Sequence, residues 1–216
     1  MRSTAPAPPD AAFALFGPVT ETAVRFTSLL ATDGVERGLI GPREIPRLWE
    51  RHLLNCGVLA ELVPSDAEVV DIGSGAGLPG LVIAMLRPRV RMTLLEPMLR
   101  RTTFLGECIT ELGLGNVTVC RDRAEKMTGV ICADMAISRA VAPLGRLAEL
   151  SAGVLRPGGM ILALKGDQAQ TELNQAGTIL RHLRVRSAEV LRVGHGIVEP
   201  PATVVRILAV GKARGR

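Results

Sequence analysis

The sequence predicts an α/β fold: a seven-stranded, mostly parallel sheet with helices on both faces and a helical extension at its N-terminus. Three observations carry this expectation. From Glu68 onward short apolar runs alternate with longer amphipathic stretches, the pattern of strand–helix–strand units lying parallel. A glycine-rich stretch, Asp71 to Gly80, includes the end of the first of those runs. Ahead of Glu68 the apolar residues recur at helical spacing instead.

Met1 to Pro9 is rich in Pro and Ala with no apolar stretch behind it, so residues 1–9 are expected to be a disordered tail and not a secretion signal. Residues 10–64 read as the helical extension. Phe13, Phe16, Val24, Phe26, Leu29 and Leu30 supply apolar positions, and a Gly/Pro-broken loop runs from Gly38 to Pro46. Leu48 to Leu54 is again helix-like, ending near Pro64. Residues 65–216 read as one globular unit. Its strands are expected at Val69–Ile72, Met92–Glu96, Val117–Cys120, Met135–Ser138 and Met160–Leu164, the last entered through Pro157-Gly158-Gly159. Val185–Val193 and Val204–Val210 close the chain as two more. A helix follows the glycine-rich turn up to about Leu86, and another, with Phe104, Leu105 and Ile109, stops at Gly113.

A chain of 216 residues that is 47% hydrophobic can bury a substantial core. No apolar run is long enough to cross a bilayer, so a cytoplasmic protein with no membrane partner is expected. Cys56, Cys108, Cys120 and Cys132 show no Cys-x-x-Cys spacing, which argues for small buried residues and against a metal site. The formal charge of +5 leans towards a polyanionic partner. Phe13, Phe16, Phe26, Phe104 and Trp49 are the only aromatic residues, too few for a platform that stacks single-stranded RNA.

Ligands of open parallel sheets sit at the C-terminal strand ends, near the switch in strand order. There the chain places Asp71-Ile72-Gly73-Ser74-Gly75-Ala76-Gly77-Leu78-Pro79-Gly80. Glycines let the backbone turn tightly and come close to a ligand. Asp71, at the strand end, is suited to orient the loop or to meet a cationic amino group. Glu96 ends the second strand, where a carboxylate can accept both hydroxyl protons of a ribose. Acids at both strand ends around a glycine loop point to a nucleotide-type ligand. Gly75 to Gly80 matches the dinucleotide fingerprint literally, but the loop begins two residues earlier. Gly73-x-Gly75-x-Gly77 directly after the strand is the methyltransferase form, in which the loop faces a methionine moiety and no pyrophosphate. The chain also lacks a second domain to hold a hydride-transfer substrate.

Trp49-Glu50-Arg51-His52-Leu53-Leu54-Asn55, Val70 to Gly80, Arg123-Ala124-Glu125, Ser138-Arg139-Ala140 and Lys165-Gly166 together resemble the ribosomal small-subunit methyltransferase G family, over roughly residues 40–170. The resemblance implies a Rossmann-like class I methyltransferase fold with S-adenosyl-L-methionine as cofactor. It implies methylation of N(7) of one specific guanosine in the 16S rRNA of the small ribosomal subunit; a monomer without a metal is expected. It places Gly73 and Leu78 against the cofactor, with Asp71, Gly75, Gly77 and Glu96 around them, and Ala124 and Glu125 at the adenine. Arg139 faces the active site and the cofactor, and Lys165 is a basic residue for rRNA phosphate; these two are the expected catalytic pair. Glu96 stands where the family often has Asp, and Arg100 and Arg101 where Lys is common. From Leu173 the patterning is weak.

His52 reads as a helix histidine that positions the extension, with a titrating base as the other reading. Trp49 reads as packing. Arg87, Arg89 and Arg91, and likewise Arg181, Arg184 and Arg186, read as solvated clusters, with rRNA phosphate contact as the alternative. At the end of the fourth strand, exocyclic-amine methylation typically uses a Pro-Pro-aromatic motif. Here the residues are Ser138 to Pro143, and no cysteine lies in a motif for carbon-5 attack. A ring nitrogen, which brings its own lone pair, fits better. Two other functions share the fold: a small-molecule or protein methyltransferase, and a non-catalytic RNA-binding protein.

Overall fold

The structure, a computed structural model, describes residues 4–139 and 141–208. Its strands are β1 (Glu68–Ile72), β2 (Arg91–Leu95), β3 (Val117–Cys120), β4 (Ala133–Arg139), β5 (Leu155–Lys165), β6 (Ser187–Val193) and β7 (Ala202–Leu208). They form one sheet in the order β3-β2-β1-β4-β5-β7-β6. The pairings β1–β2, β1–β4, β2–β3 and β4–β5 are parallel, while β7 runs antiparallel to both β5 and β6. The seven-stranded, mostly parallel sheet expected from the sequence is therefore present. The strand order reverses between β1 and β4, where Asp71 pairs in register with Leu94 on one side and Ile137 on the other.

Burial explains why these strands read as nearly continuous apolar runs. Alternate residues face opposite layers: Val69, Met135, Ile137 and Leu162 pack into one core, and Val70, Ile72, Ala136 and Ile161 into the other. On the first side lie α4 (Gly80–Leu86) and α5 (Leu99–Leu112), on the second α6 (Leu144–Val154) and α7 (Ala169–His182). Helix α5 stops where expected, at Gly113 with φ 66°, which lets Leu114 N–H close back onto the Ile109 carbonyl.

The extension is part of the first core. It contains α1 (Asp10–Phe16), α2 (Thr20–Leu29) and a run from Leu48 to Leu62 in which α3 (Asn55–Gly57) joins a π-helical turn to a 3₁₀ turn. Phe16, Phe26, Leu30 and Leu53 are buried with Leu81 and Phe104 of the sheet's helices. Phe16 meets Trp49 edge to face at 6.2 Å, whereas Phe13, expected as an apolar core position, points to solvent. The tail expectation also needs correction for residues 4–9. Trp49 Nε1–H donates to the Pro6 carbonyl at 2.9 Å, and Ala5 packs on the core. Residues 1–3 lie outside the described residues.

Three further boundaries differ. Strand β5 begins at Leu155, before the Pro-Gly-Gly turn: Ala133 pairs with Leu155 and Met135 with Met160, so Arg156 to Gly159 bulge out, with Arg156 tied to Asp134 at 2.8 Å. Strand β6 begins at Ser187 because Val185 N–H still closes the end of α7 on the Leu180 carbonyl, past Arg184 at φ 53°. The last strand runs Ala202–Leu208, and positions 209 and 210 of the expected strand lie outside the described residues. Arg87 is not simply solvated: it donates to the Ala60 and Val63 carbonyls at the end of the extension's last helical turn.

Candidate cofactor and substrate site

The glycine loop prolongs the sheet. Gly73 N–H donates to the Leu95 carbonyl at 2.8 Å, and Gly77 N–H to Ser74 O at 2.7 Å, so the loop folds back from the end of β1 onto the end of β2. Gly75 has φ 56°, and a side chain there would meet only open space, its nearest neighbour being the Gly73 carbonyl at 3.8 Å. A main chain held in a left-handed conformation beside an open space is what close approach to a ligand requires. Gly73 is different: a Cβ there would lie 2.7 Å from Val141. Leu78 turns its side chain into the core, so the loop presents its backbone there and not that side chain.

Asp71 is fully buried. Its Oδ2 accepts from Gly80 N–H at 3.0 Å and thereby ties the start of α4 to the strand end. Its Oδ1 is buried without a partner among the described residues. Burial pushes its carboxyl up to about 7, against the Gly80 hydrogen bond, which pulls the other way. A buried oxygen lacking a donor is uncommon and suits an incoming cation.

Glu96 is buried one residue past the end of β2. Its Oε2 accepts from Gly75 N–H at 3.1 Å and Arg101 at 3.3 Å, and Oε1 accepts from Met98 N–H at 3.1 Å. The carboxylate thus grips the tip of the glycine loop. Ala124 is buried in the same core as Ile72 and Leu95, the last residues of β1 and β2. Glu125, by contrast, sends its carboxylate outward to Arg146 of α6.

A cavity of about 1240 Å³ opens at the ends of β4 and β5, walled on its other sides by the extension and the start of β7. Arg51, His52, Arg139, Val141, Lys165 and Thr203 all line it. Val141 joins it to the glycine loop, because the same side chain covers Gly73. Ala140, part of the Ser-Arg-Ala motif, lies outside the described residues.

Arg139, the last residue of β4, reaches across to the extension. Its Nη2 donates to His52 Nδ1 at 2.6 Å, and Nη1 to the Arg51 carbonyl at 3.3 Å with Cys56 Sγ at 3.8 Å. Since a guanidinium can only donate, His52 Nδ1 carries a lone pair and Nε2 the proton. That proton goes to Glu44 Oε2 at 2.9 Å. Burial and the neighbouring Arg139 charge hold the His52 pKa below its ordinary value, whereas the hydrogen bond from His52 lowers that of Glu44. His52 is thus a neutral bridge between a carboxylate and a guanidinium.

Lys165, expected as a cation for rRNA phosphate, is only 8% exposed at its side chain and already paired. Its Nζ donates to Glu172 at 2.8 Å and to the Ala142 carbonyl at 2.9 Å, while the same Glu172 oxygen caps α6 at Leu144 N–H, 3.1 Å. Lys165 therefore pins the segment after β4 onto α7; in this arrangement it is not a free charge. Glu44 and Glu172 were not anticipated from sequence. Glu172 lies just ahead of the weakly patterned C-terminal part and Glu44 in the Gly/Pro-broken stretch Gly38 to Pro46, eight residues from its histidine, where no periodicity marks it. Among the described residues no group of three or more His, Cys, Asp or Glu could hold a metal ion, and no helix is long and apolar enough to cross a membrane.

Similarity to other proteins agrees with this geometry. The family model for rRNA small subunit methyltransferase G matches residues 19–197. The ribosomal RNA small subunit methyltransferase G of Thermobifida fusca is 55% identical over 200 residues, 93% of this chain and 84% of its own. That of Streptomyces avermitilis is 54% identical over 211 residues, 97% of this chain and 88% of its own. Among solved structures, a SAM-dependent methyltransferase from Aquifex aeolicus superposes with a TM-score of 0.55 at 20% identity, covering 79% of this chain and 99% of that one. A SAM-dependent O-methyltransferase from Thermotoga maritima gives 0.56 at 15% identity, covering 74% and 66%. These two show the Rossmann-like methyltransferase fold, and the family model and the relatives establish that the chain belongs to the ribosomal RNA small subunit methyltransferase G family.

Proposed function

We propose that this protein methylates N(7) of one guanosine in 16S rRNA within the small ribosomal subunit, using S-adenosyl-L-methionine, in the cytoplasm and as a monomer. The observation that carries the reading is the adjacency of two features: an open glycine loop gripped by Glu96, and a cavity whose lining residue Val141 also packs on Gly73 of that loop. One suits a nucleoside-type cofactor and the other a base brought to its edge. The residues fit the cofactor. Asp71 has a buried oxygen free for the cationic amino group, Gly73, Gly75, Gly77 and Leu78 supply main chain, Glu96 accepts from the ribose, and Ala124 with the Glu125 backbone borders the adenine. When bound, S-adenosyl-L-methionine supplies an electrophilic sulfonium methyl group.

Guanine N(7) carries a lone pair and no proton at neutral pH, so the chain need supply no general base. The engaged state of the strand-end groups supports this. Both ring nitrogens of His52 are committed, and Arg139 and Lys165 are cations that cannot readily accept a proton. What the chain contributes is alignment: the extension, residues 10–64, closes one wall of the cavity over the domain formed by residues 65–216. Arg139 faces the reacting base, and Lys165 acts by holding the segment that carries Val141. The test is methyl transfer from labelled S-adenosyl-L-methionine to small ribosomal subunits lacking the modification, followed by mapping of the labelled nucleotide. Label on a guanine N(7) of 16S rRNA is the expected result. Label on a small molecule or protein, with none on the subunit, refutes it.

A further inference from the structure

We propose that Glu44 and His52 are positioning residues for Arg139, a Glu44–His52–Arg139 hydrogen-bond chain fixing the guanidinium in the cavity wall. The inference rests on the reading that Arg139 faces the reacting base. The chain joins a 3₁₀ helix of the extension (Pro42–Arg47), its later helical run and the end of β4, residues up to 95 positions apart. Its two links are short, 2.9 and 2.6 Å, and His52, at their centre, is only 5% exposed. Among the described residues Arg139 is gripped along one edge only. The Arg51 carbonyl and Cys56 Sγ take Nη1, and His52 takes one Nη2 proton, leaving Nε–H and the second Nη2–H for a ligand in the cavity. An arginine side chain left to itself samples many rotamers, and alignment lost at a reacting centre is costly.

The polarity of the chain matters. Glu44 fixes the His52 tautomer by taking the Nε2 proton, and only that tautomer offers Nδ1 to Arg139. Protonation of Nδ1 sets N–H against N–H and cation against cation, so Arg139 is released. The groups facing His52 are Glu44 and Arg51 from its own side and Arg139 from β4. Cys56 and Asp71 lie around Arg139, the Cys56 thiol pushed up to about 11 by burial, so it stays neutral. The release falls below the ordinary imidazole value of 6.5, because burial and Arg139 lower the His52 pKa. The Glu44 hydrogen bond opposes that shift, so weakening it moves the release to still lower pH.

The experiment measures single-turnover methyl transfer to saturating small subunits across pH 5–9, with cofactor affinity by calorimetry and thermal unfolding for each variant. Arg139→Ala should lose roughly a hundredfold or more in rate; His52→Ala and Glu44→Ala should lose roughly tenfold, and these two at unchanged cofactor affinity. His52→Asn keeps an acceptor near the place of Nδ1 and does not titrate. It should recover to within roughly threefold of the wild-type rate and lose the acid limb. Glu44→Gln, milder for folding because Glu44 is partly exposed, should keep most of the rate and shift the acid limb downward. His52→Asn as inactive as His52→Ala makes His52 a base and overturns the proposal. Full rates in folded His52→Ala and Glu44→Ala beside an inactive Arg139→Ala also overturn it while leaving the role of Arg139 intact. A full rate in Arg139→Ala removes the reading beneath it and the proposal with it.

Discussion

Replacing Asp71 by asparagine should stabilise the cofactor-free protein in alkali and weaken it as an enzyme. The carboxyl is fully buried, with one hydrogen bond on Oδ2 and, among the described residues, none on Oδ1. Its pKa rises from 3.8 to about 7, so at high pH the ionised form costs on the order of 4 kcal/mol in the fold. The sign follows from proton linkage. Between those two values the folded protein keeps a proton that the unfolded chain has lost, so this contribution to stability declines as pH rises and levels off above about 7. The substituted amide does not titrate and can still accept from Gly80 N–H, though its own N–H protons go unpaired at a cost of about 1–3 kcal/mol. That cost is the same at every pH, so the clean quantity is the change with pH. Between pH 5 and 8 the difference in unfolding free energy should swing by about 2–3 kcal/mol in favour of the asparagine variant. Urea denaturation of both proteins without cofactor at the two pH values measures it. With S-adenosyl-L-methionine the order should reverse, because a cationic amino group beside Oδ1 favours the carboxylate. Calorimetry at pH 8 should show Asp71→Asn binding weaker by about 1–3 kcal/mol, the range for a hydrogen bond to a charged group. An unchanged difference between pH 5 and 8 would refute the burial argument, and equal affinities would mean that Asp71 meets no cation.

Gly75→Val should fold, since the space beside it is open, at a cost of about 1–3 kcal/mol for a branched side chain at φ 56°. It should lose cofactor binding altogether, and calorimetry showing wild-type affinity would move the cofactor elsewhere. Glu96→Gln should bind the cofactor about 1–3 kcal/mol more weakly, part of it through the loop contact at Gly75. Glu172→Ala strips Lys165 of its partner and α6 of its cap, so denaturation should show a loss of about 2–4 kcal/mol, discounted from the fully buried case because Glu172 is partly exposed. Adding Lys165→Met should recover part of that loss, and purely additive effects would mean that the pair is not coupled.

The sequence alone determined the architecture and the glycine loop at the end of β1. Strands buried on both faces must be apolar throughout, and the loop after β1 must carry glycine where the backbone turns left-handed, so both leave marks that need no knowledge of distant contacts. Gly113 marked the end of α5 for the same local reason. Only the tertiary structure decided what the polar side chains do. Arg139 and Lys165 look alike as cations at strand ends, yet one is bound to a neutral histidine at the cavity wall and the other is neutralised by Glu172. Glu125 stands in the segment expected at the adenine but pairs outward with Arg146, and Leu78 sits in the glycine loop but packs inward. The supposed tail was held by Trp49, 43 residues further on. Backbone conformation and burial are short-range or periodic demands that composition records, whereas the partner of a charge is whichever group the fold brings within about 3 Å, and sequence spacing carries no trace of it.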